Sequence, residues 1–112
     1  MAINVSKIDD VTIISLVGRL DSNSAGEGER TVAELLDGGV ARLALDFTNL
    51  DHISSAGLRV VLVAAKRIKA AAGKLVIFGM QNHVREVFEM SGFLVILTVC
   101  PDRDSALAAL AG

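Results

Sequence analysis

Two kinds of apolar pattern alternate along the chain. Short segments rich in apolar residues, several of them β-branched, predict strands, and Asp, Gly or Pro residues bound most of these segments. They cover residues 3–8, 11–20, 42–47, 74–78 and 94–100. The chain therefore predicts five strands, and the first two are expected to join through a tight hairpin turn at Asp9-Asp10.

The segments between the later strands carry a helical pattern, in which apolar residues recur at intervals of three or four. The longest covers residues 55–72. Its apolar stripe is formed by Leu58, Val61, Leu62, Ala65 and Ile68. Residues 22–24 can cap a first helix that ends at the glycine pair 38–39, and Asn82 and Asp102 can cap two shorter helices. Four helices are therefore predicted.

The element order β-β-α-β-α-β-α-β-α is typical of an α/β domain. Strands joined through a helix pair in parallel, whereas the opening hairpin is antiparallel. The sheet is therefore expected to be mixed, with four to five strands and about four helices. Neither a linker nor an internal repeat interrupts the 112 residues, a length that suits one domain. We expect a single α/β domain over residues 1–112.

The composition narrows the class of protein. Apolar residues make up 52% of the chain and aromatic residues only 4%, which predicts an aliphatic core and argues against intrinsic disorder. No apolar run approaches the roughly 20 residues that span a bilayer, and no signal peptide is readable, so no membrane insertion is expected. A single cysteine suits the reducing cytoplasm. The net charge of −2 gives no support for direct nucleic-acid binding.

Charge is divided unevenly along the chain. Residues 1–51 hold nine acidic and four basic side chains, whereas residues 52–85 hold six basic side chains and no acidic one. The helix predicted at 55–72 should therefore present a basic outer face. Such a face can simply keep the domain in solution, or it can attract an acidic partner surface. Val60 and Val63 lie among the basic residues, away from the apolar stripe, and favour the contact role.

The residue types that enzymes use for catalysis are not grouped in this sequence. His52 and His83 are separated by a strand and a helix and have no Cys or Glu at metal-ligand spacing. Cys100 follows an apolar run and is expected to be a small buried side chain rather than a nucleophile. Ser55 lacks the pair of flanking glycines of a nucleophile elbow. We therefore expect a protein that is not an enzyme and needs no metal or cofactor.

One polar junction, residues 51–58, links the strand at 42–47 to the longest helix. Ser54 or Ser55 can accept a hydrogen bond from the first-turn amides, so helix capping alone would account for both serines. The same position gives phosphorylation a physical basis. A phosphoserine carries about −1.5 to −2 charges at pH 7 and would lie at the positive end of a helix. Gly57 has no side chain and would let a partner's loop approach Ser55 closely.

Three segments in register resemble STAS domains, specifically the bacterial anti-sigma factor antagonists. Residues 53–58, Ile-Ser-Ser-Ala-Gly-Leu, resemble the family's Asp-Ser-Ser/Thr-Gly-Leu signature. Residues 18–21, Gly-Arg-Leu-Asp, resemble its Gly-x-Leu-Asp, and residues 87–93 resemble its Phe-x-x-Ser-Gly-Leu/Phe segment. The resemblance runs from about Val5 to Leu110 and agrees with the element order predicted above.

The resemblance implies a STAS fold and a switch controlled by phosphorylation. In proteins similar to this one, an anti-sigma factor with serine kinase activity and a histidine-kinase-like ATPase fold phosphorylates the serine after the motif's aspartate. The unphosphorylated antagonist binds that kinase and frees a sigma factor. Phosphorylation breaks the complex, and a serine phosphatase restores it. By this correspondence Ser55 is the acceptor, and Asp21 lies beside it on the surface that the kinase contacts.

One position departs from the signature. Ser54 stands where the family has aspartate, which removes a carboxylate near the acceptor and makes Ser54 a secondary acceptor. Phosphoryl transfer depends chiefly on positioning and on the nucleotide and Mg²⁺ that the kinase supplies, so the switch remains the first hypothesis. The departure favours an alternative, a non-phosphorylated STAS scaffold subunit of a larger complex such as a lipid-transport ATPase. On the first hypothesis, the partner contacts Asp21, Ser54, Gly57, Arg59, Val60 and Val63.

Overall fold

The computed structural model describes residues 1–111, and Gly112, the last residue of the predicted domain 1–112, lies outside them. The strands are β1 (Ala2–Ile8), β2 (Val11–Leu20), β3 (Arg42–Asp46), β4 (Leu50–Ile53), β5 (Lys74–Phe78) and β6 (Thr98–Cys100). The helices are α1 (Ala25–Asp37), α2 (Ser55–Ala70), α3 (Asn82–Met90) and α4 (Arg103–Leu110). A 3-10 helical turn, Phe93–Val95, precedes β6.

The strands form one mixed sheet. Five of them lie in the order β1-β2-β3-β5-β6, and β4 pairs with the end of β2. β1 and β2 are antiparallel, and the remaining pairs are parallel. The hairpin turns at Asp9 and Asp10. Asp9 has φ 55°, a left-handed conformation that aspartate tolerates better than most residues. The predicted mixed α/β class and the predicted hairpin are confirmed.

Alternate residues of the strands divide the core between the two faces of the sheet. On one face, Ile14 of β2 and Ile77 of β5 belong to the larger cluster, which α1, α2 and α3 cover. On the other face, Ile13 and Val76 belong to a smaller cluster that includes Ala106 of α4. The buried side chains are mostly aliphatic, as the composition predicts. The longest helix, α2, therefore lies on the more heavily covered face.

The sheet has one strand more than the sequence predicts. β2 is ten residues long and extends beyond its pairing with β3, and β4 pairs with this extension from Gly18 to Leu20. The register shifts at Gly18, whose φ is 99° and whose N–H donates to Asn49 O at 3.0 Å. β4 has only four residues, of which Asp51 and His52 are polar, so its strand character comes from this pairing rather than from its own pattern.

The strand predicted at 94–100 is wrong over its first half. Gly92 adopts φ 75° and the chain then makes the 3-10 turn, so that β6 comprises only Thr98–Cys100. Val95 and Ile96 are 89% and 67% exposed. The apolar run predicts a strand throughout, but the middle of the run is a 3-10 turn that faces solvent.

The predicted helix limits are nearly right. Asp102 caps α4 as predicted, with its Oδ1 accepting from Ser105 N at 2.8 Å. Asn82 is not a cap but the first helical residue of α3, and Gln81 precedes it as the N-cap. α2 ends at Ala70 rather than at 72, because Ala72 has turned to φ 61°.

Candidate functional site

The candidate site lies where β2 and β4 end together. Leu20 of β2 is the register partner of Ile53 of β4, and the two strands are parallel. The next residues, Asp21 and Ser54, therefore leave the same edge of the sheet, and Ser54 N donates to Leu20 O at 3.0 Å. Ser55 then begins α2. The structure thus brings Asp21 together with the serine pair, although the two segments are more than thirty residues apart in the sequence.

Ser54 is the N-cap of α2. It has an extended backbone, with φ −98° and ψ 177°, and its Oγ accepts from Gly57 N at 3.4 Å. That distance is longer than the usual range of about 2.7–3.2 Å, so the capping bond is loose. The side chain is half-buried. Of the two serines considered as caps, Ser54 takes that role.

Ser55 is the first residue of α2 and is exposed. Its Oγ makes no hydrogen bond with any group of residues 1–111. An unengaged hydroxyl on the surface is accessible to an enzyme that approaches from solvent. The two neighbouring serines therefore differ: one is used by the fold and the other is not.

Gly57 is buried against the end of β2. A Cβ on this residue would lie 2.5 Å from Leu20 O and 2.8 Å from Ile53 Cγ1. The space beside Gly57 is therefore filled by the chain's own strands. The expectation that Gly57 admits a partner's loop is wrong. Its missing side chain instead lets the first turn of α2 lie directly on β2 and β4, which fixes where Ser55 stands.

Asp21 is held in its ionised form. Its Oδ1 accepts from Asn23 N at 3.0 Å, and Arg19 Nε lies 3.5 Å from its Oδ2. The hydrogen bond from Asn23 N–H holds the pKa of the Asp21 carboxyl below its usual value of 3.8, and Arg19 and Ser24 also favour the ionised form. The carboxylate remains partly accessible, with 21% of the side chain exposed. The edge next to Ser55 therefore carries a fixed negative charge and, beside it, the charge of Arg19.

Ser24 is a positioning residue whose role the sequence does not reveal. It was predicted only as one of three possible caps for α1, and although it occupies the N-cap position its side chain makes no capping bond. Its buried Oγ instead accepts from Asp21 N at 3.0 Å and donates to Arg19 O at 2.8 Å. Ser24 thereby fixes the turn that presents Asp21.

The three predicted contact residues further along α2 have different surroundings. Arg59 is exposed, Val63 is half-buried, and Val60 is buried. Val60 lies against α1, where a Cβ built on Gly28 would be 3.6 Å from its Cγ1. The expectation that Val60 lies away from the core is therefore wrong, although Val60 also borders the groove that Val63 lines. Val63 lines an open groove of about 380 Å³ between α1 and α2 and keeps part of its surface accessible.

The segment that precedes Ser54 is also tied to α3. Gln81 Nε2 donates to Thr48 O at 3.1 Å and to Asp51 Oδ1 at 3.3 Å, and His83 Nε2 donates to Asp51 O. His83 therefore supports β4. Among residues 1–111, no three His, Cys, Asp or Glu side chains are grouped so that they could hold a metal ion. Nor is any helix in that range both long and apolar enough to cross a membrane.

Known proteins share this sequence pattern and this fold. A model of the STAS domain family matches residues 2–106. BtrV of Bordetella bronchiseptica, which is named as an anti-sigma factor antagonist, is 46% identical over 109 residues, which are 97% of this chain and 94% of BtrV. A Thermotoga maritima structure, also named as an anti-sigma factor antagonist, has a TM-score of 0.92 at 20% identity over 96% of this chain and 93% of its own. The Bacillus cell fate determinant SpoIIAA, in its phosphorylated form, has a TM-score of 0.76 at 20% identity over 98% and 100%.

The two structures, at 20% identity, show the fold alone. The family model and BtrV show the family, because each matches nearly the whole chain. The stretch that the family model matches contains the paired strand ends, the serine pair and α2. The chain belongs to the STAS domain family and, within it, to the anti-sigma factor antagonists.

Proposed function

We propose that this anti-sigma factor antagonist is a protein-binding switch controlled by phosphorylation of Ser55. Unphosphorylated, it binds an anti-sigma factor that has serine kinase activity and a histidine-kinase-like ATPase fold, and a sigma factor is released. Phosphorylation ends the complex, and a serine phosphatase renews it. The observation that carries this proposal is the exposed Ser55 hydroxyl, which no group of residues 1–111 engages, at the head of a helix that the fold holds firmly.

The chemical step is a phosphoryl transfer. Ser55 Oγ attacks the γ-phosphorus of ATP bound to the kinase, the bond between that phosphorus and the bridging oxygen of ADP breaks, and the hydroxyl proton passes to a base of the kinase. The antagonist contributes position rather than catalysis, since nucleotide and Mg²⁺ belong to the kinase. We accordingly propose that the chain is not itself an enzyme, that it holds no cofactor, and that it works in the cytoplasm, where ATP is present.

The charge change explains how one phosphate can end binding. The phosphate adds about −1.5 to −2 charges to a chain whose formal net charge is −2. It would stand at the same sheet edge as the ionised Asp21 carboxylate. A partner surface that fits a neutral hydroxyl next to one carboxylate would then face roughly three negative charges. Repulsion and uncompensated desolvation both weaken such a complex.

Ser55 is favoured over Ser54 because of their different surroundings. Ser54 is half-buried and its Oγ caps α2 through Gly57 N, whereas Ser55 is exposed and unengaged. A phosphate on Ser54 would have to fit beside the end of β2. We keep Ser54 as the secondary acceptor.

A second candidate function is a scaffold subunit of a larger complex that is never phosphorylated, such as a lipid-transport ATPase. The observation in its favour is Ser54, which replaces the aspartate of the family signature and leaves the acceptor without a nearby carboxylate on its own helix. In this case the edge formed by Asp21, Ser55 and Arg59 would be a permanent docking surface.

The experiment incubates the protein with the anti-sigma factor kinase of its own cell and Mg-ATP. Mass spectrometry then reads the tryptic peptide 43–59, whose only hydroxyl side chains are Thr48, Ser54 and Ser55. We expect one phosphate, on Ser55, which is retained in Ser54→Ala and lost in Ser55→Ala. Phosphate on neither serine would contradict the switch and support the scaffold.

A binding assay with the same kinase supplies the functional half of the test. The wild-type protein should dissociate from the kinase when ATP is added, whereas Ser55→Ala should remain bound. Ser55→Asp should bind the kinase weakly even without ATP. Equal binding of the three proteins in ATP would refute the switch even if Ser55 carried phosphate.

A further inference from the structure

Ser55 and Arg59 share one face of α2. They lie four residues apart on the helix, and both are exposed. Side chains at this spacing have Cβ atoms about 5–6 Å apart, and a guanidinium on its long stem spans that distance. The neutral Ser54 caps the helix, and no residue of α2 is acidic. Arg59 is therefore the first charged side chain that an anion on Ser55 Oγ would meet along the helix.

The two arginines of α2 differ in their partners. Arg67, two turns beyond Arg59, is already engaged, with its NH2 2.8 Å from Asp37 Oδ1 of α1. Arg59 makes no ion pair with an acidic group of residues 1–111. Its guanidinium is therefore available to an added anion, and Arg67 offers a matched control on the same helix.

The neighbouring elements also bring charges towards the start of α2. The charged ones are Arg19 of β2 and Asp21 of the turn that follows it, and the titratable His52 of β4 lies opposite Arg19; Glu29 and Arg30 of α1 lie further along α2. Asp21 already has Arg19 as its partner at 3.5 Å. Glu29 and Arg30 are adjacent and of opposite sign, and they line the groove beside Val63, beyond the first turn of α2. None of these groups lies on α2 itself, and the guanidinium of Arg19 already has the Asp21 carboxylate as its partner.

Building on the proposed phosphorylation of Ser55, we propose that Arg59 pairs with the phosphate on Ser55 within the same chain. Its guanidinium N–H groups donate to the phosphate oxygens in a charge-assisted pair. In the unphosphorylated protein, the same guanidinium is free to meet a carboxylate of the partner. One phosphate therefore adds negative charge to the docking surface and also withdraws a positive charge from it.

The test places phosphoserine at position 55 by genetic encoding, so that no kinase is needed. Phosphorus-31 NMR then follows the second ionisation of the phosphate, whose unperturbed pKa is about 6. We expect Arg59→Gln to raise this pKa by roughly 0.2–0.4 units relative to the phosphorylated wild type, because the dianion loses its cation. Arg59→Lys should raise the phosphate pKa less than Arg59→Gln does, because lysine keeps a positive charge. Arg67→Gln should leave the phosphate pKa unchanged.

Two outcomes would overturn the pairing. An equal phosphate pKa in wild type and Arg59→Gln would show that Arg59 does not meet the phosphate. An equal rise in Arg59→Gln and Arg67→Gln would show a general effect of net charge instead of a specific pair. Because the phosphoserine is genetically encoded, the NMR result does not depend on any kinase. A failure of the arginine–phosphate pair is therefore distinguishable from a failure of the kinase to phosphorylate peptide 43–59.

Discussion

Replacing Gly57 by alanine would place a methyl group into the contact between α2 and the end of β2. The new Cβ would lie 2.5 Å from Leu20 O, whereas ordinary contact begins at 3.4 Å, so the first turn of α2 must move by about 0.9 Å. The obstacle is backbone, flanked by Ile53 Cγ1 at 2.8 Å, and cannot swing aside. The same movement stretches the 3.0 Å bond from Ser54 N to Leu20 O.

The expected cost follows from these contacts. Forcing a methyl into a filled site costs about 1–3 kcal/mol, and weakening the backbone hydrogen bond costs up to roughly 1.5 kcal/mol. Alanine recovers at most about 1 kcal/mol through its higher helix propensity. Gly57→Ala should therefore lower the free energy of unfolding by about 2 kcal/mol.

Urea unfolding followed by circular dichroism measures this loss, and the chain supplies its own control. Gly26 also lies in the first turn of a helix, α1, but a Cβ there would meet nothing within 4 Å. Gly26→Ala should keep or raise the stability, by at most about 1 kcal/mol. If the two variants proved equally stable, Gly57 would not be required for the close packing, and our account of how Ser55 is positioned would fail.

Two further predictions concern the polar groups that hold the helix starts. Ser24→Ala removes the hydroxyl that Asp21 N–H and Arg19 C=O bond to, and it should lower the free energy of unfolding in urea by about 1–3 kcal/mol. The exposed control Ser22→Ala should lower it by at most about 0.5 kcal/mol. Equal losses in the two variants would contradict the positioning role of Ser24. At Asp102, the hydrogen bond from Ser105 N–H lowers the pKa of the carboxyl below 3.8, so its contribution to stability is present above that value and is lost as the pH falls through the lowered pKa. Asp102→Asn, which keeps a capping oxygen, should therefore lose less stability than wild type on acidification from neutral pH to about pH 2, and identical losses would refute this assignment.

Much of the fold was predictable because local patterns and the final pairing agree. β2 and β5 are rich in β-branched and other apolar residues and are bounded by polar or glycine residues, and α2 combines helical periodicity with a serine cap, so propensity and packing favour the same element. β4 was missed because its residues show no strand pattern, and only the overhang of β2 makes them a strand. Val95 and Ile96 gave the opposite error, because their apolar side chains predict a strand where the structure has none. Apolar residues at the surface are common, and a run of them does not by itself define a strand.

The candidate site likewise has features that the sequence predicts and features that it does not. The position of Ser55 on a helix start followed from the sequence, because Ser54 and Ser55 precede a periodic helix. The role of Gly57 did not, since it depends on a contact with Leu20 of β2, which is distant along the chain. The role of Ser24 depends on how the turn after β2 folds back onto Arg19 and Asp21, which no sequence pattern indicates. Val60 shows the limit of helical periodicity: it lies off the main apolar stripe and is buried because α1 packs beside α2 at the small residue Gly28.

The separate roles of Ser54 and Gly57 also explain how serine can stand at the position of the family's aspartate while α2 keeps its place. Aspartate and serine are comparably good N-caps, so either can hold the first turn of α2 while Gly57 keeps it against β2. The substitution instead removes one negative charge beside Ser55. If Ser55 is phosphorylated as we propose, the phosphate would meet less repulsion from its own helix, where Arg59 is the charged residue nearest in sequence. On the proposed function, the chain's departure from the signature would therefore bear on the energy of the phosphorylated state more than on the architecture that presents the hydroxyl.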